Sequence, residues 1–143
     1  MIYEIKGRHK YREVVEEYLD NLLKCLKLHR LTKNSLVIEF IEILEDGTIL
    51  GQCVGDKNKL TVQIARTAHT GKLSFLEQMF SLSHEMVHVK QYFRQELTIN
   101  ENGEWIWKNR KSNGYKYDNQ PWEREASRLE SDLFMQCFPF NRI

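Results

Sequence analysis

The chain has 143 residues, 41% of them hydrophobic and 29% charged, which allows one domain with a real hydrophobic core and is too short for two. Its 21 Lys and Arg nearly balance 20 Asp and Glu, so a net charge of +1 excludes a global field that would draw in nucleic acid or anionic lipid. No apolar run approaches the roughly 20 residues that span a bilayer, and Met1-Ile2-Tyr3-Glu4-Ile5-Lys6 carries charges where a signal peptide needs an apolar stretch. Cys25, Cys53 and Cys137 are odd in number and lack a C-x-x-C pair, which fits reduced thiols better than a disulfide framework. A cytoplasmic protein with no membrane partner is the expectation.

Val14, Val15, Tyr18, Leu19, Leu22, Leu23 and Leu26 recur at helical spacing and predict an amphipathic helix over about residues 10 to 28, its apolar stripe on the core. The β-branched, apolar run from Leu36 to Ile43 predicts a strand. Asp46-Gly47 then signals a hairpin into a second strand near Thr48 to Val54, and Gly55 to Asn58 turns the chain again. Leu60, Val62 and Ile64 alternate with Lys59, Thr61 and Gln63, the period of a strand with one buried and one wet face. These strands predict a small antiparallel or mixed sheet.

Ser74-Phe75-Leu76-Glu77 matches a capping box, in which Ser and the Glu three residues on satisfy each other's backbone N–H groups. A long helix is predicted from there to about Gln95. Asn100 to Gly103 separates Leu97-Thr98-Ile99 from Trp105-Ile106-Trp107 as a hairpin, and Lys108 to Gln120 reads as an irregular loop. Pro121 fits the first turn of a last helix in which Ala126, Leu129, Leu133 and Cys137 share a face.

The long helix carries His84-Glu85-Met86-Val87-His88, an H-E-x-x-H segment. Imidazoles at i and i+4 project from one helix face and can share a metal ion. At 100° per residue they fall just outside the apolar arc formed by Leu76, Met79, Phe80, Leu82, Met86, Val87, Val89 and Phe93, at the border between core and cleft and not in the middle of the core. Neutral imidazoles bind Zn2+ and leave it Lewis-acidic, the ion acidifies bound water, and Glu85 is placed to take the proton as general base. Hydrolysis is the first functional expectation.

Zinc needs a third protein ligand and one open position. No His follows His88, and Gln91 and Arg94 stand where the metzincin motif has its Gly and last His. His9, His29 and His69 lie upstream and are expected at the surface. An acidic ligand from a later helix remains, and Pro121-Trp122-Glu123-Arg124-Glu125-Ala126-Ser127 offers Glu123 and Glu125. One of the two can be plain first-turn decoration, since acids there complement the helix dipole.

H-E-x-x-H followed by a helix with E-x-x-A resembles the gluzincin arrangement and the compact zincins of the ImmA/IrrE type. The P-W-E-x-E-A string resembles small phage and prophage metallopeptidases. The resemblance covers about residues 60 to 130. It implies a zincin-like α+β fold, a small antiparallel or mixed sheet packed on the H-E-x-x-H helix with N-terminal and C-terminal helices, in a single domain over 1–143. It further implies a zinc-dependent metallopeptidase acting on a protein or peptide, in phage-like cases in the host cytoplasm. It aligns Glu123 with the third ligand and Ala126 with the small residue beside the active-site helix, and Glu123 also projects nearer the buried face than Glu125. Ser127 departs from the Asp or Asn that supports a ligand histidine in such families, a role Glu130 could fill.

In zincins the edge strand beside the cleft takes up an extended peptide, and Leu60 to Ala65 resembles that strand, with a plain core strand as the competing reading. Trp105, Trp107, Tyr115 and Tyr117 interleave with Lys108, Arg110, Lys111 and Lys116. Either the rings pack on the domain, or segment 105–117 holds a protein or nucleic acid on a non-catalytic zincin scaffold. Tyr115 or Tyr117 could instead stabilise an oxyanion. A last reading lets Cys137 close the coordination sphere of a structural zinc.

Overall fold

In the computed structural model, which describes residues 1–143, the chain runs β1 (Ile2–Lys6), α1 (Arg12–Cys25), β2 (Ser35–Ile43), β3 (Gly51–Gly55), β4 (Lys59–Ala68), β5 (Gly71–Lys72), α2 (Phe75–Phe93), β6 (Leu97–Ile99), β7 (Trp105–Trp107), β8 (Arg110–Lys111) and α3 (Pro121–Cys137). The class is α+β, with three helices and two sheets. No helix is long and apolar enough to cross a membrane.

The period-two pattern of β4 organises the larger sheet. Leu60, Val62 and Ile64 are fully buried on one face, opposite Leu36, Ile38 and Phe40 of β2 in parallel register. The strand order is β1-β2-β4-β3, with β1, β2 and β4 parallel, β3 antiparallel to β4, and the short β5 extending β4. Parallel neighbours need crossovers, and α1 supplies the one between β1 and β2.

One expectation fails here and one alternative is decided. The run Leu36–Ile43 and the strand after Asp46-Gly47 do not form a hairpin, because β4 inserts between them. Glu45, Asp46 and Gly47 all have positive φ, and the Gly47 carbonyl accepts the His69 N–H at 3.0 Å, which pins the turn beyond the end of β4. A Cβ on Gly47 would run into the backbone of Ala68 and His69. The chain therefore returns along the free edge of β4. Consequently Leu60–Ala65 is the core strand of the two readings offered, and β3 is the edge. Strand β1 lies in the N-terminal stretch, for which the sequence pattern had predicted no element.

The buried face of the sheet meets the apolar stripes of all three helices in one cluster that includes Val15, Tyr18, Leu19, Leu22, Leu82, Met86, Val89, Ala126 and Leu133. Each such large side chain taken out of water contributes about 1.5–3 kcal/mol. Helix α1 stops at Cys25, short of residue 28. Lys27 turns left-handed (φ 59°) and the Leu28 N–H returns to the Leu23 carbonyl at 2.8 Å, a closure that leaves no carbonyl for another turn. Helix α2 starts with both reciprocal bonds of the Ser74–Glu77 capping box and ends at Phe93 in the same way, with Gln95 left-handed. The Leu97–Ile99 and Trp105–Trp107 hairpin forms as its turn residues predict and gains β8 as a third strand.

Candidate metal centre

Helices α2 and α3 present the chemistry. Their close approach follows from small and buried residues at the crossing. Ala126 is wholly buried, and the hydroxyl of Ser83 donates to the Glu130 carbonyl at 3.0 Å across the two helices. Glu123 sits in the first turn of α3, opened by Pro121, with Trp122 buried beside it. This register brings His84, His88 and Glu123 together, one ligand atom from each lying within 4.8 Å of the others, so the three could hold a metal ion.

The hydrogen bonds around the imidazoles fix which nitrogens face inward. The Nδ1–H of His84 donates to Glu130 Oε2 at 2.7 Å, and that of His88 donates to Gln91 Oε1 at 2.8 Å. Gln91 is itself held by its Nε2 donating to the Trp122 carbonyl at 2.9 Å. Both Nε2 atoms then turn their lone pairs toward Glu123 Oε1, at 2.6 Å from His88 and 3.5 Å from His84. Two lone pairs and a carboxylate oxygen aimed at one another require a cation between them, a proton or a metal. Glu123 Oε2 is buried with no partner, a second acceptor that the protein does not satisfy. The donor set of two nitrogens and one carboxylate fits Zn2+ or a similar divalent ion.

The electrostatics express the same demand. Burial opposes charge on His84, but its contact with Glu123 and the nearby Glu85 and Glu130 prevail and raise it to about 9. Burial likewise opposes charge on His88, and Glu123 overcomes it, so His88 is also raised. Burial acts against the charge of Glu123 too, yet the two imidazoles hold its carboxyl far below the ordinary range. Glu85 differs. Burial pushes it up, and the charges of His88 and His84 only partly offset the effect, so the proton affinity of Glu85 is raised.

Glu85 lies where two cavities meet, one of about 240 Å³ reaching Cys53, Tyr92 and Trp122, the other of about 400 Å³ reaching Leu50, Phe80 and Glu130. Both are also lined by Ile49, Gly51 and Tyr117, so the site opens into a cleft along the edge strand. Gly51 begins that strand. A Cβ there would stand 3.0 Å from Glu85 Cγ and 3.3 Å from Glu85 Oε2. The absence of a side chain at position 51 therefore gives Glu85 its room.

The remaining candidates sort themselves by position. Glu125 turns away from the histidines to Lys90 Nζ at 3.2 Å and Gln91 Nε2 at 3.2 Å. Cys137 is fourteen residues along α3 from Glu123, about 20 Å at the helical rise, and meets Cys25 instead. It cannot complete this centre. His9 packs on Phe40, His29 is exposed and His69 bonds the Gly47 carbonyl. Trp105 stacks on Trp122 with centroids 5.3 Å apart, and Lys108 Nζ lies over the Trp107 ring. The Trp105 and Trp107 rings of segment 105–117 thus pack on Trp122, whereas Tyr115 and Tyr117 are exposed. Tyr117 borders the cleft, whereas Tyr115 lines a different cavity with Lys108, Arg124 and Arg128. Gln91 and Gly51 escaped the sequence reading. Gln91 carried one usable signal, a polar residue on the His88 face three positions on. Gly51 carried none, because its meaning depends on which strand lies beside Glu85.

No protein-family profile and no curated protein matches this sequence. Among solved structures, a mutant of Wss1 from Saccharomyces cerevisiae overlaps with a TM-score of 0.46 at 10% identity, over 94% of this chain and 90% of that one. So loose an overlap carries no argument about function.

Proposed function

We propose that this chain is a zinc-dependent metallopeptidase of the zincin type, one domain over 1–143, in which His84, His88 and Glu123 hold the ion and Glu85 is the general base. The observation that carries the reading is the convergence of two imidazoles and a carboxylate from two helices, His88 and Glu123 buried and His84 half-buried, beside Glu85, a second carboxylate of raised proton affinity at the junction of an open cleft. Zinc bound there would supply Lewis acidity, polarising a substrate carbonyl and easing the ionisation of water.

The chain's own groups do the rest. Glu85, buried and raised in proton affinity, takes a proton from the attacking water and passes it to the departing amide nitrogen. Glu130 and Gln91 hold the imidazoles in the tautomers that direct Nε2 inward. The free edge of β3, bordering both cavities at Gly51, suits an extended peptide that adds as a further strand, with main-chain hydrogen bonds setting its register. Protein or peptide is thus the substrate class. The H-E-x-x-H and E-x-x-A pattern supports a likeness to compact zincins of the ImmA/IrrE type, and the P-W-E-x-E-A string supports a phage-type peptidase acting in a host cytoplasm.

The test compares wild type with Glu85→Gln in zinc content and in hydrolysis of a quenched-fluorescence peptide library. Full zinc occupancy in both, with turnover reduced about 10²–10⁴-fold in the variant, is the expected result. Equal turnover would remove Glu85 from the chemistry, and absence of turnover in both would favour a scaffold that only binds.

A further inference from the structure

Away from the metal centre the fold brings two thiols together from nearly opposite ends of the sequence. Cys25 is the last residue of α1 and Cys137 the last of α3, and the Cys137 thiol donates to Cys25 Sγ across 3.1 Å. Cys25 is exposed, while Cys137 is 2% exposed. The backbones that carry them are held in place independently of the sulfurs. Asn21 Nδ2 donates to the Cys137 carbonyl at 2.9 Å, and the Tyr18 ring packs edge-on against Phe138 with centroids 5.2 Å apart. The seam is therefore rigid on both sides of the pair. Cys53, the third thiol, lines the cleft beside Glu85 and belongs to another region.

We propose that Cys25 and Cys137 are a site of reversible oxidation, forming a disulfide that fastens the end of α1 to the end of α3. A small disulfide such as glutathione disulfide is a sufficient oxidant. The exposed Cys25, as thiolate, attacks one sulfur of the oxidant, its S–S bond breaks, and one glutathione thiolate leaves and takes up a proton. The Cys137 thiol then gives up its proton, attacks Cys25 Sγ and expels the second glutathione. Two protein thiols are oxidised by two electrons and one small disulfide is reduced to two thiols. Burial, and then the hydrogen bond to Cys25, pushes the Cys137 thiol up to about 12, which assigns the first attack to Cys25 and the resolving step to Cys137.

The link would close a loop over most of the chain, which restricts the unfolded state far more than it disturbs a seam already in contact. Glu123 lies at the other end of α3, so metal binding should not change. The inference stands whether or not the chain is a peptidase.

Full-length protein is incubated with dithiothreitol or with excess glutathione disulfide, its free thiols are alkylated, and unreduced peptides are mapped by mass spectrometry beside thermal unfolding. A Cys25–Cys137 peptide pair two hydrogens lighter than its parts is expected, with Tm raised by roughly 5–10 °C and restored by dithiothreitol. Cys25→Ser should lose the link and the shift, and Cys53→Ser should keep both. Alkylation of both cysteines after oxidation, arrest at a glutathione adduct on Cys25, or a link to Cys53 would overturn the proposal. A correct link without a thermal shift would overturn its stabilising role.

Discussion

The Nδ1–H of His84 donates to Glu130 Oε2 across 2.7 Å, joining the middle of α2 to the third turn of α3. This bond sets the tautomer of the imidazole and makes it a better ligand. Glu130→Ala should weaken zinc affinity about 10–100-fold, with a smaller loss in Glu130→Gln, whose amide oxygen still accepts. Competition with a chromophoric chelator measures this, and unchanged affinity in the Ala variant would show that the bond does not orient the ligand.

Glu123 and Glu125 are two residues apart yet have different surroundings. Glu123→Ala should abolish stoichiometric zinc on elemental analysis, because only the two imidazoles remain. Glu125→Ala should retain zinc, since that carboxylate serves Lys90 and Gln91. The reverse pattern would mean that the other acid binds.

Gly51 is the point at which the edge strand approaches the Glu85 carboxylate. Gly51→Val would place its Cβ 3.0 Å from Glu85 Cγ and drive Glu85 off its position. Peptide turnover should fall at least about tenfold while zinc content stays near wild type, since a misplacement of about 1 Å alone can cost ~100-fold. Simultaneous loss of zinc would show that the crowding spreads to the histidines.

Acidity should act oppositely on the two partners of the centre in protein stripped with a chelator. His84 is raised from 6.5 to about 9, so its contribution to stability is fully present below 6.5 and is lost as the pH rises through about 9. Glu123 is lowered from 4.5, so its contribution is present above 4.5 and is lost as the pH falls through its depressed value. Stability of the stripped protein should therefore be greatest between about 4.5 and 6.5 and decline toward 9. Zinc-loaded protein should lack that decline, because the metal takes the place of the proton. Urea unfolding across this range reads both curves, and parallel curves would exclude the imidazoles from metal binding.

Local chemistry was legible along the chain wherever one stretch contains its own explanation. The capping box at Ser74, the stripe from Val14 to Leu23, the alternation at Leu60, Val62 and Ile64 and the proline opening α3 each satisfy near neighbours, so helices, strands and the His84–Glu85–His88 spacing could be read directly. Partnership between distant segments could not. Strand order depends on which edge the chain reaches after Gly47, and a hairpin signal at Asp46-Gly47 says nothing of a later strand inserting between its arms. The sequence favoured Glu123 and offered Glu130 as a support, but the turning of Glu125 toward Lys90, the room left by Gly51 and the meeting of Cys25 with Cys137 all rest on contacts across tens of residues. Such contacts arise from the packing of α3 across α2 and α1, a product of the whole buried cluster and of no single segment.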